Sequence, residues 1–145
     1  MTEIHKTTVV PYSAEEMYAL VFDIESYPDF LPWCSGSQLL VHNTYHSTGT
    51  VSLEAGMIKQ SFTTENTMKP GRSIEMKLVK GPFKHLNGSW HFEPVDDKSC
   101  TISFNISFEF KNKLVKLALG KIFNRIMDSL VASFIQRAGE VYGQR

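Results

Sequence analysis

Apolar and polar residues alternate without a break from Thr101 to Phe110, "TISFNISFEF". Ile102, Phe104, Ile106, Phe108 and Phe110 share one face; Thr101, Ser103, Asn105, Ser107 and Glu109 share the other. Neighbouring side chains of a strand point to opposite sides, so this period of two predicts an antiparallel strand with one buried and one wet face. Less regular versions of the pattern fill most of the chain from Gly36 onward. They predict strands over 37–42, 45–55, 57–68 and 83–92, and another where Ile74, Met76 and Leu78 alternate with Glu75 and Lys77. Asn43-Thr44, the stretch "EAGM" at 54–57 and Lys69-Pro70-Gly71-Arg72 separate them, the last with proline and glycine at type II turn positions. A first strand rich in Thr, Val and Ile covers 3–10 and stops at Pro11.

The period changes in the last third. Ile122, Phe123, Ile126, Met127, Leu130, Val131, Phe134, Ala138 and Val141 recur at the i, i+3, i+4, i+7 spacing of a long amphipathic helix. At 1.5 Å per residue it spans about 30 Å, enough to cross a whole domain. Leu114, Leu117 and Ala118 fall off this stripe. Either a kink at Gly120 turns them inward, or they form a basic and apolar surface with Lys111, Lys113, Lys116 and Lys121 that meets an RNA or, peripherally, a membrane surface. Near the other end, Ser13-Ala14-Glu15-Glu16 fits a capping box opening a short helix to about Ile24. "SYPDFLPWC" at 26–34 then reads as a second short helix or turn, because the residue before each proline is pushed out of helical geometry.

An antiparallel sheet with one apolar face needs cover, and only the C-terminal helix is large enough to give it. The expected fold is α+β: a curved antiparallel sheet of about seven strands wrapped around that helix, with two short helices after the first strand. No linker or repeat interrupts it, so residues 1–145 read as one domain. Fifteen basic side chains balance fifteen acidic ones, which argues against broad, charge-driven binding to DNA. No apolar run approaches bilayer length and no basic-then-apolar leader opens the chain, so a cytoplasmic location is expected, with Cys34 and Cys100 as reduced thiols.

The element order, with "SYPDFLPWC" at 26–34 and "GPFKHLNGSWHF" at 81–92, resembles the START-like helix-grip superfamily. Within it the chain is similar to the bacterial branch shared by ribosome-association toxins and coenzyme Q-binding START-domain proteins, a group also labelled polyketide cyclase or dehydrase. "VPYSAEEMYALV" at 10–21 and "FEFKNKLVKLALGKIF" at 108–123 look close to the toxins. The resemblance implies binding to the large ribosomal subunit that blocks subunit joining. Alternatively it implies a carrier or chaperone holding ubiquinone or a related lipid in the helix-grip cavity, with no required cofactor.

The residues themselves offer no catalytic site. Glu65, Glu75 and Glu109 belong to the wet faces of strands or to mixed strands, and Asp128 and Glu140 lie away from the centre of the helix stripe. No nucleophile elbow or phosphate loop is present, so a non-enzymatic protein is expected. No metal is expected either. His42 and His46 straddle a turn, and His85 and His91 stand about 20 Å apart on one strand, so five exposed histidines are the simpler account. The aromatic residues leave two readings open. Phe30, Trp33, Phe62, Leu86, Trp90, Phe104 and Phe108, with Ile126, Leu130 and Phe134 opposite, either pack solid or line a cavity for a hydrophobic ligand. Arg137, near the centre of the helix stripe, either snorkels to water or guards the mouth of such a cavity.

Overall fold

The computed structural model describes residues 1–145. Seven strands form one antiparallel sheet: β1 (Thr2–Val10), β2 (Cys34–His42), β3 (His46–Ala55), β4 (Ile58–Lys69), β5 (Ser73–Lys80), β6 (Phe83–Asp96) and β7 (Ser99–Phe110). Their spatial order is β1-β7-β6-β5-β4-β3-β2, so each strand from β2 to β7 pairs with the next by a hairpin and β1 closes the far edge. Helix α1 (Ala14–Phe22) and a 3₁₀ helix (Ile24–Asp29) lie between β1 and β2, and the chain ends in the long helix α2 (Lys113–Tyr142). This is the expected helix-grip arrangement.

Local sequence sets each boundary. Burial alternates through the whole of β7, with Cys100, Ile102, Phe104, Ile106, Phe108 and Phe110 all buried. The β6–β7 hairpin reaches further than the pattern suggests. The Asp96 carboxylate accepts from the Lys98 backbone N–H and the Ser99 hydroxyl, both at 2.8 Å, and tightens a polar stretch into a turn. Pro94 is tolerated beside the register shift at this end of the ladder. Gly71 takes φ +75°, which the third position of the type II turn requires, and Arg72 N–H donates to Lys69 C=O at 2.8 Å.

The capping box forms as expected. Ser13 Oγ accepts from Glu16 N–H at 3.1 Å, and Glu16 Oε1 accepts from Ser13 N–H at 2.9 Å. The Glu16 carboxylate also binds both Arg145 guanidinium nitrogens, at 2.7 and 3.0 Å, while Tyr142 Oη–H donates to the Glu16 carbonyl. The end of α2 is thereby fastened to the start of α1. The Arg145 hydrogen bonds, then those of Ser13, hold the Glu16 carboxyl below its ordinary value of 4.5. A carboxylate with a depressed folded-state value contributes stability that is complete above the ordinary value and lost as pH falls through the depressed one. Glu16→Gln should therefore lower stability at neutral pH and flatten its fall below about pH 4.5, as read by urea midpoints across pH.

The helix α2 departs from expectation at its start. It begins at Lys113, with Asn112 Oδ1 accepting from Val115 N–H at 2.9 Å, and runs through Gly120 uninterrupted. No kink turns Leu114, Leu117 and Ala118 inward: the two leucines are 77% and 82% exposed. Gly120 stays helical because it is buried against the Phe110 ring. A Cβ there would meet Phe110 Cε2 at 3.8 Å and Lys116 Cγ at 3.7 Å, both ordinary contacts. Gly120→Ala should consequently stabilise the fold by about 1 kcal/mol, seen as a raised denaturation midpoint. The buried stripe otherwise follows the sequence from Phe123 to Ala138, except that Val141 is exposed.

The backbone of α2 approaches α1, β1 and β7 most closely. The sheet curls away over β5 to β2, and "SYPDFLPWC" closes that side. Leu31 is buried there, and Tyr27 and Phe30 pack edge-on against Phe134 with ring centroids 5.4 and 5.3 Å apart.

Candidate functional site

A cavity of about 80 Å³ lies between α2, the 3₁₀ helix and the inner face of the sheet. Of the side chains expected to line it, Trp33, Phe62, Leu86, Trp90, Phe104, Leu130 and Phe134 do so. Trp90 lies against Phe104 with the rings tilted by 34° and centroids 4.4 Å apart, and meets Phe134 edge-on at 5.3 Å. Gly88 leaves room for Met76, whose Cε sits 2.7 Å from where a Gly88 Cβ would be, so the bare position lets Met76 complete the wall.

Four expected residues stand elsewhere. Phe108 is fully buried among Phe83, Phe110 and Phe123, so it packs as solid core. Ile126 is buried, but its neighbour Met127 is the one that reaches the cavity. Phe30 lies behind Phe134. Arg137 neither snorkels freely nor meets the cavity: its guanidinium covers the Phe30 ring at 4.9 Å and pairs with Glu140 at 3.5 Å.

The sequence reading missed Phe123 and Met127 on α2, and Tyr27 of the closing segment joins them in the lining. It also missed three polar residues on the sheet, Ser47, Thr64 and Asn66. Thr64 and Asn66 share strand parity with Phe62 and Met68, and that parity was the available signal. Thr64 Oγ1–H donates to Asn66 Oδ1 at 2.9 Å, Asn66 Nδ2–H to Ser47 Oγ at 3.1 Å, and Ser47 Oγ–H to Met68 Sδ at 3.8 Å.

No Asp, Glu, His, Lys or Arg lines the cavity. Its one phenol, Tyr27, donates to the Val21 carbonyl, and burial pushes its ionisation far above the ordinary value. Burial likewise raises both free thiols, Cys100 to about 11, so neither is a thiolate at neutral pH. Glu65 and Glu75 line a polar trough with His5 and His46, and none of these four lines the cavity. Four of the five histidines are exposed as expected; His85 is half-buried, with Nε2 unpartnered.

A second feature lies at the start of α2. Residues 111–125 carry Lys111, Lys113, Lys116, Lys121 and Arg125 and no acidic residue. At 100° per residue Lys113, Leu114, Leu117, Lys121 and Arg125 fall within about 120° of the helix circumference. All five are exposed. The fold adds two lysines that the sequence does not place there: Lys80 borders a groove with Lys111, and Lys84 one with Lys113 and Lys116. The next acidic residue on the helix, Asp128, is taken up by Lys6 at 2.8 Å.

Residues 10–135 match the family described as polyketide cyclase/dehydrase and lipid transport. The chain is 46% identical to the ribosome association toxin RatA of Escherichia coli, over all of this chain and 92% of that protein. It is 29% identical to the mitochondrial coenzyme Q-binding protein COQ10 homolog B of Xenopus laevis, over 99% of this chain and 60% of that one. Among solved structures, a START superfamily protein of Mycobacterium smegmatis superposes with a TM-score of 0.80 at 19% identity, covering 96% and 98% of the two chains. A Streptomyces aromatase/cyclase superposes at 0.77 and 14% identity, covering 99% of each. At those identities the two structures share the fold.

Proposed function

The chain belongs to the polyketide cyclase/dehydrase and lipid transport family, in the branch of the ribosome association toxins, and from that premise we propose that it inhibits translation by binding the large ribosomal subunit and blocking subunit joining. The observation that carries this reading is the 46% identity to RatA along the whole of this chain, together with the surface at the start of α2. Two leucines held in water among lysines are costly unless a partner covers them, and the lysines suit a surface of RNA phosphates. Five basic and no acidic residues over 111–125 make this stretch locally basic in a chain of zero net charge. Co-sedimentation with purified subunits tests it: the protein should pellet with large subunits, release as salt rises, and stay behind with small ones. Equal retention on both subunits, or on neither, contradicts the reading.

The cavity favours a second role, carriage of a hydrophobic ligand such as a quinone or lipid. An apolar, aromatic-walled cavity with a few polar groups is the usual make-up of a small-molecule site. Its lack of any carboxylate, imidazole or amine supports holding a molecule over transforming one, since acid–base catalysis needs a titrating group within reach. The protein is therefore read as non-enzymatic, and organic extraction of gently purified protein should release the ligand.

A further inference from the structure

The three polar residues of the cavity form a chain with an unused end. Ser47 and Asn66 are cross-strand partners on β3 and β4, and Thr64 precedes Asn66 by two on the same face. Asn66 is only 2% exposed, and Ser47 and Thr64 are 5% and 8% exposed. The Asn66 amide has two N–H bonds and spends one, on Ser47 Oγ. Rotating the amide by 180° changes nothing: Nδ2 would donate to Thr64, Ser47 would donate to Oδ1, and one N–H would still be free. Ser47 in turn spends its hydroxyl proton on a thioether, a weak acceptor. An unspent donor in an apolar enclosure costs free energy that an acceptor in the cavity would return.

We propose that Asn66, held in place by Thr64 and Ser47, is the polar anchor of the cavity and donates a hydrogen bond to a carbonyl oxygen of a flat, uncharged ligand. This rests on the carrier reading above and narrows it. Trp90, Phe104 and Phe134 supply flat aromatic surface for a ring. With no cationic side chain in the lining, a carboxylate or phosphate headgroup would enter unpaired, which selects against fatty acids and phospholipids. The size of about 80 Å³ is below the 300–1,000 Å³ of sites that engulf a drug-sized molecule, so the anchored part is a headgroup and any tail leaves past the rim.

Isothermal titration calorimetry reports binding of each probe, and quenching of Trp33 and Trp90, which both line the cavity, reports the quinone as well. Three probes carry comparable alkyl chains: decylubiquinone with neutral carbonyls, decylbenzene with no acceptor, and decanoate with a charged one. The wild type should bind decylubiquinone tightest. Asn66→Leu should weaken decylubiquinone about tenfold, the loss of one well-placed hydrogen bond, and leave decylbenzene unchanged. Thr64→Val keeps the amide but frees it to turn, and should weaken decylubiquinone severalfold by the same selective pattern; it serves equally if the leucine variant does not fold. Equal wild-type affinity for decylubiquinone and decylbenzene, or a preference for decanoate, overturns the anchor and leaves the carrier reading standing. Failure to bind any of the three overturns both.

Discussion

Phe123→Ala should remove a large share of the stability of this protein. Phe123 is 1% exposed and is packed by Phe62, Phe83, Phe108 and Phe110, with ring centroids 6.1, 5.0, 4.8 and 6.0 Å away. Truncating a buried phenylalanine costs about 3–5 kcal/mol, the transfer loss plus the void that cannot close. A domain of this size typically has about 5–15 kcal/mol in total. The void would also merge with the cavity that Phe123 already lines, so the site would lose its wall together with the fold its support. Urea titration followed by tryptophan fluorescence measures the effect. A loss under about 1 kcal/mol would mean that this aromatic cluster is not what fixes α2 to the sheet.

Lys113→Glu with Lys116→Glu should leave the fold intact and disable the proposed ribosomal contact. Both lysines are exposed and neither joins an ion pair, so stability should change by no more than about 0.5 kcal/mol. Each lysine that meets a phosphate displaces a counterion, so binding depends on salt in proportion to the number of contacts. Reversal removes two such contacts and adds two repulsive charges. Affinity for large subunits should fall about 10- to 100-fold at 0.1 M salt, and the slope of log affinity against log salt should become shallower by about two. Unchanged affinity in a folded variant would move the contact surface away from α2.

The fold was legible in the sequence because each element carries its own pattern. The alternation of β7, the Ser13–Glu16 capping box and the Lys69–Arg72 turn each depend on neighbours a few residues away. The site was legible only in part, because it depends on which neighbour is absent. Phe104 and Phe108 have the same parity and the same burial, yet one faces the cavity and the other is packed by Phe83 and Phe123. Arg137 sits on the apolar stripe by angle, but the Phe30 ring and Glu140 occupy it. Ser47, Thr64 and Asn66 were invisible to a search for apolar lining because they are polar. Lys80 ends β5 and Lys84 lies at the start of β6, and the fold brings both to the basic end, about thirty residues in sequence from the lysines they meet. At Gly120, helix propensity argued for a break that burial against Phe110 overrode.

A protein that binds the large subunit as proposed should keep ribosomal subunits apart. Sucrose-gradient profiles of ribosomes reassociating with and without the purified protein test it most directly. Free large and small subunits should accumulate at the expense of intact ribosomes as protein is added, and the protein should travel with the large-subunit peak. An unchanged proportion of intact ribosomes at saturating protein would contradict it.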